Sequence, residues 1–462
     1  MKLLRVLTFL VYVPSYLLAQ VPFGDFFQNT ALRVDLYLSG DAKQANVTLD
    51  RISEEGPWPE SPGSLIEPFQ NGRYLLKVYD VATNRLTYAR GFDCMFGEYT
   101  TTTPALKGIQ RTFSRSLRIP CPRRPVQVVL ELRDRENIPR PLYTTRIDPT
   151  DYHIIRQNPS PTDDVYEAMI NGESRDHVDV VFLAEGYTAG EGNKFRADVD
   201  RMVQHLFTIE PYKSAKSKFN IRGIHRASAE SGPDEPEKRI YKNTVLKASF
   251  NAFDLDRYML TEENRLLREM AGQVPYDAIV VLVNSPRYGG GGIYNDFAIT
   301  SVDNAASLQV FVHEFGHSFA GLGDEYYSSA VAYNDFYPKG VEPLEPNITA
   351  LLDPSALKWK DLLSPGIALP TPYGRQELDS LQELRRTLRE DQRKAVDAKI
   401  EEVRKRFAGV YDRVGAFEGA GYSSTGLYRP MVYCLMIGNP KNEFCLVCRK
   451  AISRMITYYS QP

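Results

Sequence analysis

Phe311-Val-His-Glu-Phe-Gly-His-Ser-Phe-Ala-Gly-Leu-Gly-Asp-Glu-Tyr-Tyr327 is the stretch on which the reading of this chain turns. His313 and His317 are four residues apart, so on a helix they stand on one face about one turn from each other. Two imidazoles placed in this way can both aim a ring nitrogen at one Zn2+, about 2 Å from each. Glu314, beside the first histidine, can lie over the open coordination position and take a proton from a metal-bound water. The alternative is a plain amphipathic helix with two half-buried histidines. Ordinary residue frequencies place a chance HExxH in about 1% of chains of this length or fewer. The apolar flanks Val310, Phe311, Val312, Phe315 and Phe319 also set the histidines at a buried seam, and Gly321 and Gly323 end the helix and turn the chain back.

A catalytic zinc takes three protein ligands and leaves the fourth position to water. The other histidines, His153, His177, His205 and His225, all precede the motif, so a carboxylate after the glycine turn is the economical third ligand. Asp324 is the expected ligand; Glu325 or a more distant carboxylate is the alternative, with Asp324 then capping the turn. In the HExxHxxGxxH pattern of metzincins the third ligand falls ten residues after the first histidine. That position here is Gly323, one residue short of Asp324. Tyr428-Arg-Pro-Met-Val-Tyr-Cys-Leu-Met436 resembles the Met-turn beneath the metzincin metal, with Met436 the better fit and Met431 the runner-up. Tyr326, Tyr327 and Tyr433 are candidates to donate a hydrogen bond to a developing oxyanion.

Further resemblance is carried by Ala184-Glu-Gly-Tyr187, by Tyr288-Gly-Gly-Gly-Gly292, by the histidine motif, and by Cys434-Leu-Met436 with Phe444-Cys-Leu-Val-Cys448. Together these resemble the IgA-specific metalloendopeptidase family over most of the mature chain. The resemblance implies a zinc endopeptidase with Glu314 as base and a protein or peptide as substrate. It does not establish IgA as that substrate. A secreted binding or adhesion protein with a structural metal site is the alternative function, and the intact Glu314 argues against it, since a structural site needs no base.

Around the motif, the chain is organised as two parts. Its 462 residues exceed one ordinary domain. With 43% hydrophobic and 25% charged residues it has the composition of a soluble globular protein. The net charge of −2 and the lack of a basic block exclude nucleic acid as an expected partner. Lys2 and Arg5 precede an apolar run from Val6 to Leu18, broken by Pro14 and followed by Ala19. This is the layout of a secretory signal peptide over residues 1–19, so the mature protein is expected to be exported (periplasmic, cell-surface or extracellular) with no stable membrane insertion.

Period-two runs at Leu32–Leu38, Tyr74–Tyr79 and Gln127–Leu132 predict an antiparallel β-sandwich over 20–157, followed by a proline-rich linker near 158–163. From 165 to 462, the apolar runs Val178–Ala184, Phe219–Ile224 and Tyr276–Val283 alternate with a helix near Asn193–Leu206. The expected class is therefore α+β, an N-terminal sandwich followed by a metzincin-like α/β zinc peptidase domain. A charged amphipathic stretch near 376–407 predicts a helical insertion. The glycines of 289–292 suit either an edge strand over the cleft or a flexible loop. The five cysteines leave at least one thiol unpaired, and a disulfide from Cys434 to Cys445 or Cys448 is expected, because Cys445-Leu-Val-Cys448 lacks a second CxxC or a histidine to complete a zinc ribbon.

Overall fold

The structure is a computed structural model that describes residues 21–156, 163–327, 336–438 and 442–461. The expected signal peptide and most of the expected linker lie outside the described residues.

In the N-terminal part, β1 (Phe27–Gly40), β2 (Ala45–Glu54), β3 (Tyr74–Asp80), β4 (Arg85–Phe92), β5 (Arg111–Pro122), β6 (Val126–Arg133), β7 (Pro139–Ile147) and β8 (Ile155–Arg156) form two four-stranded sheets. The strand orders are β5-β1-β2-β8 and β4-β3-β6-β7, antiparallel throughout except for the short parallel β2–β8 pair. Each period-two run of the sequence sits inside one of these strands. Leu36 and Leu38 of β1, Ile119 of β5, Val78 of β3 and Leu130 of β6 meet in one buried cluster. In an isolated sandwich the polar alternates would face solvent, yet Arg33 and Asp35 of β1 and Ser116 of β5 are also buried. Arg33 Nε lies 2.9 Å from Asp35 Oδ1, and Ser116 Oγ donates to the same oxygen at 2.5 Å. These groups are covered because the second half of the molecule packs over this face: Arg33 also pairs with Glu269, 3.2 Å away.

The second half is built on a six-stranded sheet. It comprises β9 (Asp164–Met169), β10 (Val178–Glu185), β11 (Phe219–His225), β12 (Ala278–Val283), β13 (Gly290–Ile293) and β14 (Phe297–Ser301), in the order β13-β14-β12-β10-β11-β9. The four inner strands run parallel and both edge strands antiparallel. Every residue of β10 is buried, which is why Val180–Ala184 is apolar without alternation; Asp179 and Glu185 near its two ends are buried as well. Between the strands run α1 (Gly192–Leu206) and α2 (Asn264–Ala271); α3 (Ser307–Ala320) follows β14. Phe311, Phe315 and Phe319 form a stacked row along one face of α3, with successive ring centroids 5.9 and 5.1 Å apart. Burial of each ring stabilises the helix position by about 2–3 kcal/mol. Phe182 of β10 packs on this row from the sheet, 5.7 Å from Phe311.

The charged excursion is a hairpin of α4 (Arg375–Thr387) and α5 (Arg393–Arg406), with its own small core of Leu378, Val396, Ile400 and Val403. A two-stranded ribbon, β15 (Phe417–Ala420) with β16 (Ser423–Arg429), and the helix α6 (Leu446–Tyr459) complete the described chain. Tyr458 and Tyr459 of α6 reach back to the N-terminal sheet, where the Arg90 guanidinium donates to both hydroxyls at 2.9 and 3.1 Å. None of the described helices is long and apolar enough to cross a membrane.

Candidate active site

Helix α3 carries the motif with its phenylalanines in the core and His313, Glu314 and His317 on the face toward a cleft. It stops at Gly321, whose φ of +62° is the left-handed turn that glycine accommodates best. The reversed chain then delivers Asp324 to the histidines. His313 Nε2 and His317 Nε2 are 3.0 Å apart, and Asp324 Oδ1 lies 3.0 Å from the first and 3.4 Å from the second.

Each imidazole is oriented from behind by a carbonyl. His317 Nδ1 is 2.5 Å from Leu322 O and His313 Nδ1 is 3.3 Å from Leu435 O. A carbonyl can only accept, so both Nδ1 atoms carry hydrogen, and in the neutral rings both Nε2 lone pairs face the point where Asp324 Oδ1 also converges. Asp324 Oδ1 itself is buried and faces no polar partner other than these two imidazoles. Three electron-pair donors facing one point fit a metal ion. Bonds of about 2.0–2.2 Å to a tetrahedral centre would space such atoms by about 3.3 Å, close to what is seen. In the protein alone, Asp324 lifts the His317 imidazole to about 9 against the downward push of burial. Burial would raise Asp324, but the two imidazoles hold its carboxyl well below the usual range.

Glu314 projects beside this cluster. Burial pushes its carboxyl above the usual range, while the two histidines pull it down. Met436 lies beneath the helix: a Cβ on Gly316 would come 3.2 Å from Met436 Sδ, and Met436 O accepts from the Glu325 amide at 2.9 Å. Met431 is only partly buried, on the periphery of the same core. Of the three tyrosines singled out from sequence, Tyr326 lines the cleft. Tyr327 instead donates to Asp379 of the hairpin at 2.8 Å, and Tyr433 packs on Tyr411.

Glu325 is turned away from the histidines. Its Oε1 accepts from Asn347 Nδ2 at 2.9 Å, within a buried pocket shared with Cys434, Cys445 and Cys448. The expected disulfide is not formed: all five cysteines are free thiols, and Cys434 Sγ and Cys448 Sγ stand 3.7 Å apart. A third sulfur and a carboxylate occupy the same space, so no single pair is singled out for bonding.

Gly290–Gly292 do lie in an edge strand, β13, but the smallness of Gly290 and Gly292 serves the helix behind it, while Gly289 and Gly291 lie against the segment from Phe250 to Leu260. A Cβ on Gly292 would lie 2.3 Å from Glu314 O and 2.9 Å from His317 Cβ. At its first residue the outer side of β13 is already met by the segment around Tyr258, with Gly290 O accepting from the Met259 amide at 3.2 Å.

Several residues were missed by sequence reasoning. Tyr422 donates to Asp324 Oδ2 at 2.5 Å and so fixes the outer oxygen of that carboxylate. Asn347 clamps Gly323, accepting from its amide and donating to its carbonyl, both at 2.8 Å. Tyr288, within the glycine motif, and Arg257 line the cleft. The N-terminal part supplies Arg73, Asp93 and Glu98 to the cleft wall.

Two family models match the chain. The one described as IgA Peptidase M64 covers residues 167–456, and the one described as Peptidase M64 N-terminus covers residues 22–144. No curated protein matches the chain at a significant level. The first of these matches spans more than half of the sequence and contains the helix, the glycine turn and the Met436 segment, so this chain belongs to the IgA peptidase M64 family of metallopeptidases.

Proposed function

We propose that the protein is an exported zinc endopeptidase whose metal is held by His313, His317 and Asp324 and whose general base is Glu314. The observation that carries this reading is the convergence of His313 Nε2, His317 Nε2 and Asp324 Oδ1 on one point beside a buried carboxylate. Bound zinc would supply a Lewis acid that lowers the pKa of water and polarises the scissile carbonyl. Glu314 accepts the proton of the attacking water on its carboxylate and delivers it to the departing amine. Its burial raises its proton affinity toward what such shuttling needs. Tyr326, in the cleft wall beside Asp324, is positioned to donate to the developing oxyanion. Met436 acts as a metzincin-like floor that sets the height of the motif helix.

Substrates are proteins or peptides, as membership of a peptidase family implies. IgA is named for the family and is not assigned to this chain. Export follows from the charged start, apolar run and Ala19 of residues 1–19. The division into a β-sandwich over 20–157 and a peptidase domain over 165–462 is part of the same reading.

The test is Glu314→Gln. The variant is expected to bind zinc as the wild type does and to lose cleavage of a broad peptide library by about 10²–10⁴-fold. Equal cleavage by both proteins would overturn the assignment of the base. Retained zinc with no peptidase activity in the wild type would instead favour a binding protein.

A further inference from the structure

A second cluster of ligand atoms lies on the other side of the Asp324 turn. Cys434 Sγ is 3.7 Å from Cys448 Sγ, and Glu325 Oε1 is 3.2 Å from Cys448 Sγ and 3.9 Å from Cys445 Sγ. All four groups are buried, with one ligand atom from each within 4.8 Å of the others. Thiolate bonds of about 2.3 Å and a carboxylate bond of about 2.0–2.2 Å at a tetrahedral centre would space sulfur from sulfur by about 3.8 Å and sulfur from oxygen by about 3.5 Å. The observed edges lie close to these values.

We propose that Cys434, Cys445, Cys448 and Glu325 form a closed structural site for a thiophilic divalent cation, zinc foremost, separate from the histidine centre. Two of the three sulfurs already receive backbone donors, as ligating sulfurs do. The Cys445 amide donates to Cys434 Sγ at 3.3 Å and the Cys448 amide to Cys445 Sγ at 3.5 Å. Cys445 caps the fourteen-residue helix α6, whose positive end favours a negative sulfur. Glu325 Oε2 is buried with no hydrogen-bond partner, an expensive state for a carboxylate unless a cation shares the pocket. A disulfide between two of the sulfurs would seal the third thiol beside that carboxylate. Metal binding uses all four groups, expels the thiol protons to solvent and changes no oxidation state.

The site would tie together three segments that set the height of the histidine centre. Glu325 follows Asp324 directly, Cys434 precedes Met436 by two residues, and Cys445 and Cys448 begin α6. It leaves no open position and carries no base, so its role is positional.

Metal counting on the full-length mature protein tests this. The wild type is expected to hold two zinc ions per chain, and His313→Ala/His317→Ala one. The cobalt(II)-loaded form of that histidine variant is expected to show thiolate-to-cobalt charge-transfer bands in the near ultraviolet. Cys445→Ser/Cys448→Ser is expected to remove this ion; because that variant can fail to fold, the decisive measurements are those on the histidine variant. A histidine variant without bound metal, or a cobalt spectrum without thiolate bands, would overturn the proposal. So would a non-reduced intact mass two hydrogens short, the mark of a disulfide. These readouts do not depend on peptidase activity, so the site can fail while the proposed mechanism stands, and the reverse.

Discussion

At the scale of single residues, the ligand turn is held by side chains from distant parts of the chain. Tyr422 donates to Asp324 Oδ2 at 2.5 Å, leaving Oδ1 to face the histidines. Tyr422→Phe is expected to leave the fold intact and to weaken metal retention by about 10–100-fold, read by competition with a chelator. Asp324→Ala is expected to abolish retention at the histidine centre, whereas Glu325→Ala acts on the cysteine cluster; the reverse pattern would exchange the two carboxylates. The grouping of His313, Glu314, His317 and Asp324 in space was legible because their relation is local: four residues along a helix, then a glycine turn. Tyr422 and Asn347 meet the same turn through space, from positions about a hundred and about twenty residues further on, and no spacing rule reaches them.

At the scale of elements, the closeness of α3 to β13 decides the geometry of the centre. A Cβ on Gly292 would sit 2.3 Å from Glu314 O, a backbone atom that cannot swing aside. Gly292→Ala is therefore expected to push α3 from the strand, costing about 1–3 kcal/mol in denaturant unfolding and lowering peptidase activity. Gly190→Ala, with nothing within 4 Å of the added carbon, serves as the matched control and is expected to change stability by less than about 0.5 kcal/mol. The strands were readable from apolar periodicity, and the observed β10 and β11 each extend one residue beyond their predicted stretches. The purpose of the glycines was not readable, because a Gly run looks the same whether it admits a substrate from outside or a helix from behind.

At the scale of the whole molecule, the two family-matched parts share buried charge as well as apolar surface. Asp296, in the turn before β14, takes Arg115 from the N-terminal sheet and Arg268 of α2, the latter at 2.8 Å. Burial pushes the Asp296 carboxyl up, but the two guanidiniums hold it below the usual range. A depressed carboxylate stabilises the fold above its unfolded pKa of about 3.9, and that contribution is lost as pH falls through the lower folded value. Asp296→Asn is expected to destabilise the protein by about 3–5 kcal/mol at neutral pH, and to flatten the fall in stability below about pH 4 in acid titrations followed by circular dichroism. Because the two parts share one apolar cluster, the wild type is expected to unfold in a single calorimetric transition rather than two. The division of the chain was visible in its change of periodicity. The contact between the parts was not, since Arg33 and Asp35 occupy positions that in an isolated sandwich would simply be wet.

The hairpin of α4 and α5 leaves and rejoins the body at one place: a Cβ on Gly374, just before α4, would come 2.7 Å from the Phe407 ring, just after α5. An excursion whose ends already touch is a natural port for grafting. A foreign loop or a small reporter protein could be inserted at its tip, between α4 and α5, with little entropic demand, since doubling a loop's length adds only about 0.6 kcal/mol. The hydrogen bond from Tyr327 to Asp379 at 2.8 Å would make such a graft more than a passenger, because Tyr327 stands three residues beyond Asp324. Tension or ligand binding in the inserted module would then be felt at the cleft, which makes this port a place to install an external control on cleavage.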